Sequence, residues 1–112
     1  MESRPWGEFH ILHDGVDCKI KRLVVNPLKR LSLQSHVHRR EVWIVLRGQG
    51  KAVKGDATVP LSVGTLVVIE KEEKHRLIND QESGTLELIE VQTGEYFGEE
   101  DIVRYEDDFQ RL

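Results

Sequence analysis

At 112 residues and 13.0 kDa the chain is long enough for one hydrophobic core and too short for two, so residues 1–112 are expected to form a single domain that builds any active site inside or against that core. Hydrophobic residues make up 38% and charged residues 32%, with no basic-then-apolar leader and no apolar run near the ~20 residues that cross a bilayer, so a soluble, cytoplasmic protein with no membrane partner is expected. The lone Cys18 excludes a disulfide-stapled scaffold, and the net charge of −4 argues against nucleic acid as a partner.

Along the chain, period-two alternation and short β-branched runs recur between turn signals, and no segment before the tail holds a helical period over more than two turns. Strands are predicted at roughly 8–13, 17–25, 31–38, 41–47, 49–54, 57–62, 66–70, 74–78 and 85–92. Between them lie Asp14-Gly15, Asn26-Pro27, Gly48 and Gly50, Gly55-Asp56, Gly64, Asn79-Asp80 and Ser83-Gly84. Many short strands and tight turns at this length predict an all-β small barrel or double-sheet jelly roll. The tail, 94–112, is acidic and carries Tyr96, Phe97, Tyr105 and Phe109; a flap or short strand packed over the barrel is expected, and its last few residues are equally compatible with disorder.

Charge is unevenly spread: residues 1–54 hold 11 Lys/Arg against 5 Asp/Glu, a net +6, and residues 55–112 hold 5 against 15, a net −10. The positive half could steer a phosphorylated or carboxylated small molecule, or could simply be a solvated face.

The chemistry-bearing stretch is Ser35-HVHRREVWIVLRG. On a continuous strand Ser32, Gln34, His36 and His38 share one face, and Leu31, Leu33 and Val37 the other. Imidazoles at i and i+2 can both reach one metal ion, with Glu41 adding a carboxylate after a bend and His75 a fourth ligand. The bland alternative is a pair of exposed histidines on an edge strand. His10 and His13 read as surface residues, Trp6 and Trp43 as packing, and Cys18 as a small core residue.

The spacing resembles the two motifs of the cupin barrel, the double-stranded β-helix. Glu41 and Gly48 fit the end of the first motif, and Gly64, His75 and Asn79 fit the second. Arg30 stands at the opening glycine of the first motif, Glu70 and Glu72 stand at the proline and glycine of the second, and only two residues separate His38 from Glu41. Arg4-PWG, Arg30-LSLQSHVHRREVW, Lys74-HRLIN and Leu86-ELIEVQTGEYFGEEDIVRYEDDF further resemble signature segments of type II mannose-6-phosphate isomerases, from Arg4 to about Arg111. That family shares the short His38–Glu41 spacing and usually has a histidine where this chain has Val42. In it, this region is usually the C-terminal half of a protein whose N-terminal half is a mannose-1-phosphate guanylyltransferase. No glycine-rich nucleotide loop is present here, so no pyrophosphorylase activity is expected.

The resemblance implies interconversion of mannose 6-phosphate and fructose 6-phosphate, with the sugar phosphate as partner. His36, His38, Glu41 and His75 would hold one divalent metal, and their nitrogen and oxygen donors suit zinc, manganese, iron, cobalt or nickel alike. Glu90 is the candidate base, because Leu88, Glu90 and Gln92 alternate onto one face of an apolar run that would raise a carboxylate's pKa; a core-edge glutamate paired with a cation is the plainer reading. Arg39 and Arg76 are candidate phosphate ligands, although each follows a histidine and should face the other way unless the strand bulges. Gln34 and Ser32 are candidates for sugar hydroxyls. Cupins commonly pair through their sheets, so a homodimer is expected. The competing expectation is a cupin whose isomerase activity has decayed, leaving a sugar-binding or regulatory module, or one that runs another metal reaction.

Overall fold

Short apolar runs closed by Gly, Asn and Asp turns give eleven strands among the residues described by the computed structural model, 1–98 and 100–110. They are β1 (Glu2–Arg4), β2 (Gly7–Asp14), β3 (Cys18–Val25), β4 (Leu33–Ser35), β5 (Arg39–Arg47), β6 (Gly50–Lys54), β7 (Ala57–Leu61), β8 (Leu66–Ile69), β9 (His75–Ile78), β10 (Leu86–Gly94) and β11 (Val103–Glu106). Two antiparallel sheets result, ordered β1-β2-β3-β10-β5-β8 and β11-β4-β9-β6-β7. This is the all-β, double-sheet architecture expected from the turn spacing.

The inner faces supply the core, including Trp6, Phe9, Leu23, Trp43, Val45, Leu77 and Leu88, all buried. Burial of such side chains stabilises the fold by about 1.5–3 kcal/mol each. Both tryptophans are packing residues here, whereas Cys18 is only half-buried, at the start of β3 beside the exposed hairpin turn.

The strand predicted at 31–38 is cut to Leu33–Ser35. The cause is Asp101: its carboxylate accepts the backbone N–H groups of Val37 (3.1 Å) and His38 (2.9 Å), which bends 36–38 out of any ladder. The alternation then restarts at β5, where Arg39, Glu41, Trp43 and Val45 face inward. Val42 consequently faces outward, opposite Val68 on one side and Val91 on the other, so a histidine there would not reach the interior.

The tail packs back as expected. β11 pairs with β4, the Arg30 guanidinium makes two 2.8 Å bonds to Asp108, and Phe109 packs against the core. The alternative of a disordered extreme end concerns positions 111–112, which lie outside the described residues. β1 was not predicted; it is a short hairpin partner of β2 formed around Pro5-Trp6.

Motif positions acquire physical meaning here. Gly48 has φ +86° and any Cβ would meet the Thr85 carbonyl, so the turn after β5 requires glycine. Asn79 is fully buried and donates to the carbonyls of Val25 and Gly84 (both 3.0 Å) while accepting from the N–H of Gln81 (3.1 Å), tying the 79–84 loop to β3. Glu72, at the glycine position of the second motif, has φ 65°, and its N–H donates to the His36 carbonyl at 2.6 Å. The left-handed backbone disfavours any residue with a Cβ. Glu72→Gly is therefore expected to raise the unfolding free energy by about 0.5–1 kcal/mol; urea unfolding with no gain would show that Glu72 carries no strain.

Candidate metal centre

The inner face of β5, the first residue of β9 and the bend after β4 converge on one buried cluster: Glu41, His75 and His36. Their ligating atoms lie within 4.8 Å of one another. His36 Nε2 is 3.3 Å from one Glu41 oxygen and His75 Nε2 is 3.9 Å from the other. The imidazole rings are 5.0 Å apart, and Trp43 lies edge-on to His75 at 5.7 Å.

Each imidazole is oriented by a backbone carbonyl. His36 Nδ1 is 2.8 Å from the Asp101 oxygen, and His75 Nδ1 is 2.9 Å from the Glu73 oxygen. A carbonyl only accepts, so each Nδ1 carries a proton, and each ring turns its Nε2 toward Glu41. Burial first, then the Arg39 guanidinium and His75, push the His36 pKa down to about 4, which keeps that ring neutral at neutral pH. Burial works against ionisation of Glu41, but His75, Arg39 and the Trp43 N–H outweigh it and hold the carboxyl below its ordinary range. Two ring nitrogens and a carboxylate thus converge on one buried point, an arrangement that suits a cation. Arg39 supplies part of it, donating from Nε to Glu41 (3.0 Å) and from Nη2 to His36 Nε2 (3.2 Å). Two neutral imidazoles and a carboxylate form the donor set of divalent first-row metals, with bonds of about 2.0–2.2 Å. The residues present fit such an ion.

His38 does not join them. It is exposed, with its ring edge-on to Tyr96 at 6.3 Å, because the Asp101-capped bend breaks the alternation that would have carried it to the face of His36. The same break turns Arg39 inward, against the expectation that it faces away. Arg76 does face away: it is buried under the tail, donating to the carbonyls of Leu31 (2.9 Å) and Glu106 (3.2 Å), and it does not line the cavity, which corrects its candidacy for phosphate.

A cavity between the sheets opens onto the cluster and is lined by Ser32, Gln34, Arg39, Glu41, His75 and Glu90. Gln34 donates to the Ser32 hydroxyl at 3.1 Å. Glu90 is buried, accepts from the Gln92 amide at 2.6 Å, and has its pKa raised by burial and then by the Glu41 charge. Gln92 Oε1 is buried without a partner among the described residues. Sequence reasoning missed Asp101, which orients His36, and the cavity-lining cations Arg4, Lys21 and Arg104. The DIVR run was legible as a signature segment, but its contacts cross some 65–70 residues of chain.

Two antiparallel sheets enclosing a buried His/Glu/His cluster define a cupin. The model of the family described as "Mannose-6-phosphate isomerase C-terminal" matches residues 2–107, and the chain belongs to that family. It is 44% identical over 108 residues to the xanthan biosynthesis protein XanB of Xanthomonas campestris, covering 96% of this chain and 23% of that protein. It is 42% identical over 108 residues to the alginate biosynthesis protein AlgA of Pseudomonas aeruginosa, covering 96% and 22%. A mannose-1-phosphate guanylyltransferase of Salmonella muenchen is 39% identical over 103 residues, covering 92% and 22%. The chain therefore spans less than a quarter of the length of these curated relatives. Among solved structures, KdgF from Halomonas sp. superposes with a TM-score of 0.77 at 12% identity over 86% of this chain and 87% of that one. A cupin-2 domain protein from Rhodospirillum rubrum superposes with a TM-score of 0.71 at 22% identity, covering 83% and 66%. These similarities establish the fold. No helix among the described residues is long and apolar enough to cross a membrane.

The protonation of His36 has a thermodynamic consequence. An unfolded histidine titrates near 6.5, so between about pH 6.5 and about pH 4 the unfolded chain binds protons that the folded chain refuses. The metal-free protein should therefore lose stability as pH falls through that window, by up to roughly 3 kcal/mol from this group. Urea unfolding at several pH values tests this, and His36→Asn should flatten the slope; an unchanged slope in that variant would remove His36 as its source.

Proposed function

We propose that this chain is a metal-dependent sugar-phosphate isomerase that interconverts mannose 6-phosphate and fructose 6-phosphate. The carrying observation is the convergence of two Nε2 atoms and the Glu41 carboxylate on one buried point beside a cavity that also holds Glu90. Membership of a family described by mannose-6-phosphate isomerase supports the substrate class. His36, Glu41 and His75 would hold the ion. Zinc, manganese, iron, cobalt and nickel all suit this donor set. When bound there, a divalent cation supplies polarisation of the sugar's carbonyl and adjacent hydroxyl oxygens.

The chain's own residues do the rest. Glu90 takes a proton from the carbon beside the carbonyl and returns it to the former carbonyl carbon, through an enediol, while the hydroxyl proton passes between O1 and O2 in the same direction, which moves the carbonyl from C1 to C2 or back. Its raised pKa suits a base that must also give the proton back, and the Gln92 amide fixes its orientation. Ser32 and Gln34, on the facing wall, are placed to hold sugar hydroxyls. Arg39 bridges His36 and Glu41 and becomes available to substrate oxygens when an ion takes over that bridging charge.

Val42, Glu70 and Glu72, the departures from the family motifs, would favour a decayed module only if they took a group from the site. Val42 faces away from the cavity, and neither glutamate lines it, so none of the three removes a group from the site. Single variants separate the roles. His36→Ala and His75→Ala should each lose stoichiometric metal with the fold kept, whereas His38→Ala should retain it, as read by metal analysis after dialysis. Glu90→Gln should keep metal and lower turnover of fructose 6-phosphate by at least ~100-fold. Full activity in that variant would exclude Glu90, and metal-independent turnover in wild type would sink the metal role.

The expected homodimer would use the outer face of the six-stranded sheet, where Ile44, Leu46 and Leu66 are exposed, with a second copy as occupant. Sedimentation at micromolar concentration should give twice the chain mass, and a monomer there would remove the proposal.

A further inference from the structure

We infer that Arg104, acting with Lys21 and Arg4 across the same cavity, seats the phosphate monoester of the substrate, a role the sequence had offered to Arg76. The identity of the sugar attached to that phosphate rests on the isomerase reading; the anion seat does not.

Three observations carry it. First, Arg104 lines the cavity and its Nε is buried without a hydrogen-bond partner among the described residues. A buried guanidinium N–H left unmade costs free energy that an incoming acceptor recovers. Second, Lys21 and Arg4 line the same cavity and both stand over the Phe9 ring, the ammonium at 4.4 Å and the guanidinium at 4.7 Å from its centroid. One aromatic ring thus gathers two cations at one wall, a placement that favours an anion between them.

Third, the strand registers align these cations with the candidate chemistry. In the five-stranded sheet Arg104 pairs with Gln34, and Gln34 pairs with His75. In the six-stranded sheet Lys21 pairs with Glu90, and Glu90 pairs with Trp43. Directly opposed residues share a face. One inward row therefore runs from Arg104 to the metal-ligand candidate His75, and the other from Lys21 to Glu90 and on to Trp43. Arg104 and His75 lie two strands apart, roughly 10 Å. A phosphate held by the cations at one end leaves the sugar chain to run past Ser32 and Gln34 toward His75 and Glu41. An Arg fork suits the three oxygens of a phosphate monoester.

The test measures binding by calorimetry on the full chain as purified, with fructose 6-phosphate and inorganic phosphate as probes. Arg104→Gln should weaken both at least ~10-fold, the loss of a charge-assisted bond. Arg104→Lys should recover part of the affinity, and Arg40→Gln, an exposed arginine paired with Glu70 outside the cavity, should match wild type. Should Arg104→Gln fail to fold, Lys21→Gln carries the test with the same expectation. Wild-type affinity for either probe in Arg104→Gln, or in Lys21→Gln when it stands in, overturns the seat, as does failure of the wild-type chain to bind either probe. Arg104-dependent phosphate binding without turnover under any divalent metal would uphold the seat and remove the isomerase reading; turnover with unchanged fructose 6-phosphate affinity in Arg104→Gln would do the reverse.

Discussion

The arrangement on which the rest depends is a pair of hydrogen bonds from imidazole to backbone. His36 Nδ1 and His75 Nδ1 each give their proton to a carbonyl, at Asp101 and Glu73. With both Nδ1 atoms turned outward, the two Nε2 atoms and the Glu41 carboxylate face one another in a buried space. Buried acceptors without a donor or cation are costly. The chain answers with Arg39, whose guanidinium bridges Glu41 and His36, and with the Trp43 N–H on the other Glu41 oxygen at 3.1 Å. The local fold is organised around keeping this point polarised: the Asp101 bend delivers His36, and the restart of alternation at Arg39 delivers Glu41 from the inner face of β5.

That bend also marks where sequence reading stops working. Alternation and turn signals predict nine strands, of which 31–38 is cut short, and place Glu90 and Gln92 on one face, because those two sit within an uninterrupted ladder; Glu41 is legible only from the motif, after a bend. Alternation also argued that an arginine following a histidine faces the opposite way. For Arg76, inside β9, that argument holds; for Arg39 it fails, since two backbone N–H groups of 36–38 are taken by a carboxylate more than sixty residues away. No periodicity contains that contact. His38 is the cost of the same blindness: a motif position read as a ligand ends up exposed beside Tyr96. The family resemblance supplied the motif but not the geometry. The tail was legible only as something that packs back, whereas β11 in fact delivers Arg104 and its flanking turn delivers Asp101.

The charge asymmetry between the halves is largely consumed by the fold. Arg22 pairs with Glu87 at 2.7 Å, Arg40 with Glu70 at 2.8 Å, Lys54 with Glu73 at 2.8 Å and Arg30 with Asp108 at 2.8 Å, each joining the basic half to the acidic one. Most of these partners are substantially exposed, so such pairs contribute at most about 1 kcal/mol each. Their effect is to neutralise the exterior selectively. The cations left on the cavity wall come chiefly from the basic half, Arg4, Lys21 and Arg39, joined by Arg104 from the tail. The cavity wall, with these four cations beside the buried Glu41 and Glu90, presents a field favouring small anions at the mouth.

Glu90 shares this interior with Glu41. It is an acidic side chain retained inside, next to Lys21 in the ladder on one side and Trp43 on the other, with Gln92 as its immediate hydrogen-bond donor. Burial and Glu41 both push its pKa up, while Arg39 and Lys21 oppose them. A cation arriving at His36, Glu41 and His75 would screen the Glu41 charge and so weaken the second of the two upward pushes. An anion seated at Lys21 and Arg104 would weaken one of the opposing cations and restore it. On the proposed isomerase reading, the proton affinity of Glu90 would be set jointly by what occupies the two ends of the cavity, the coupling a base needs if it is to take a proton and return it only while a phosphorylated sugar spans both.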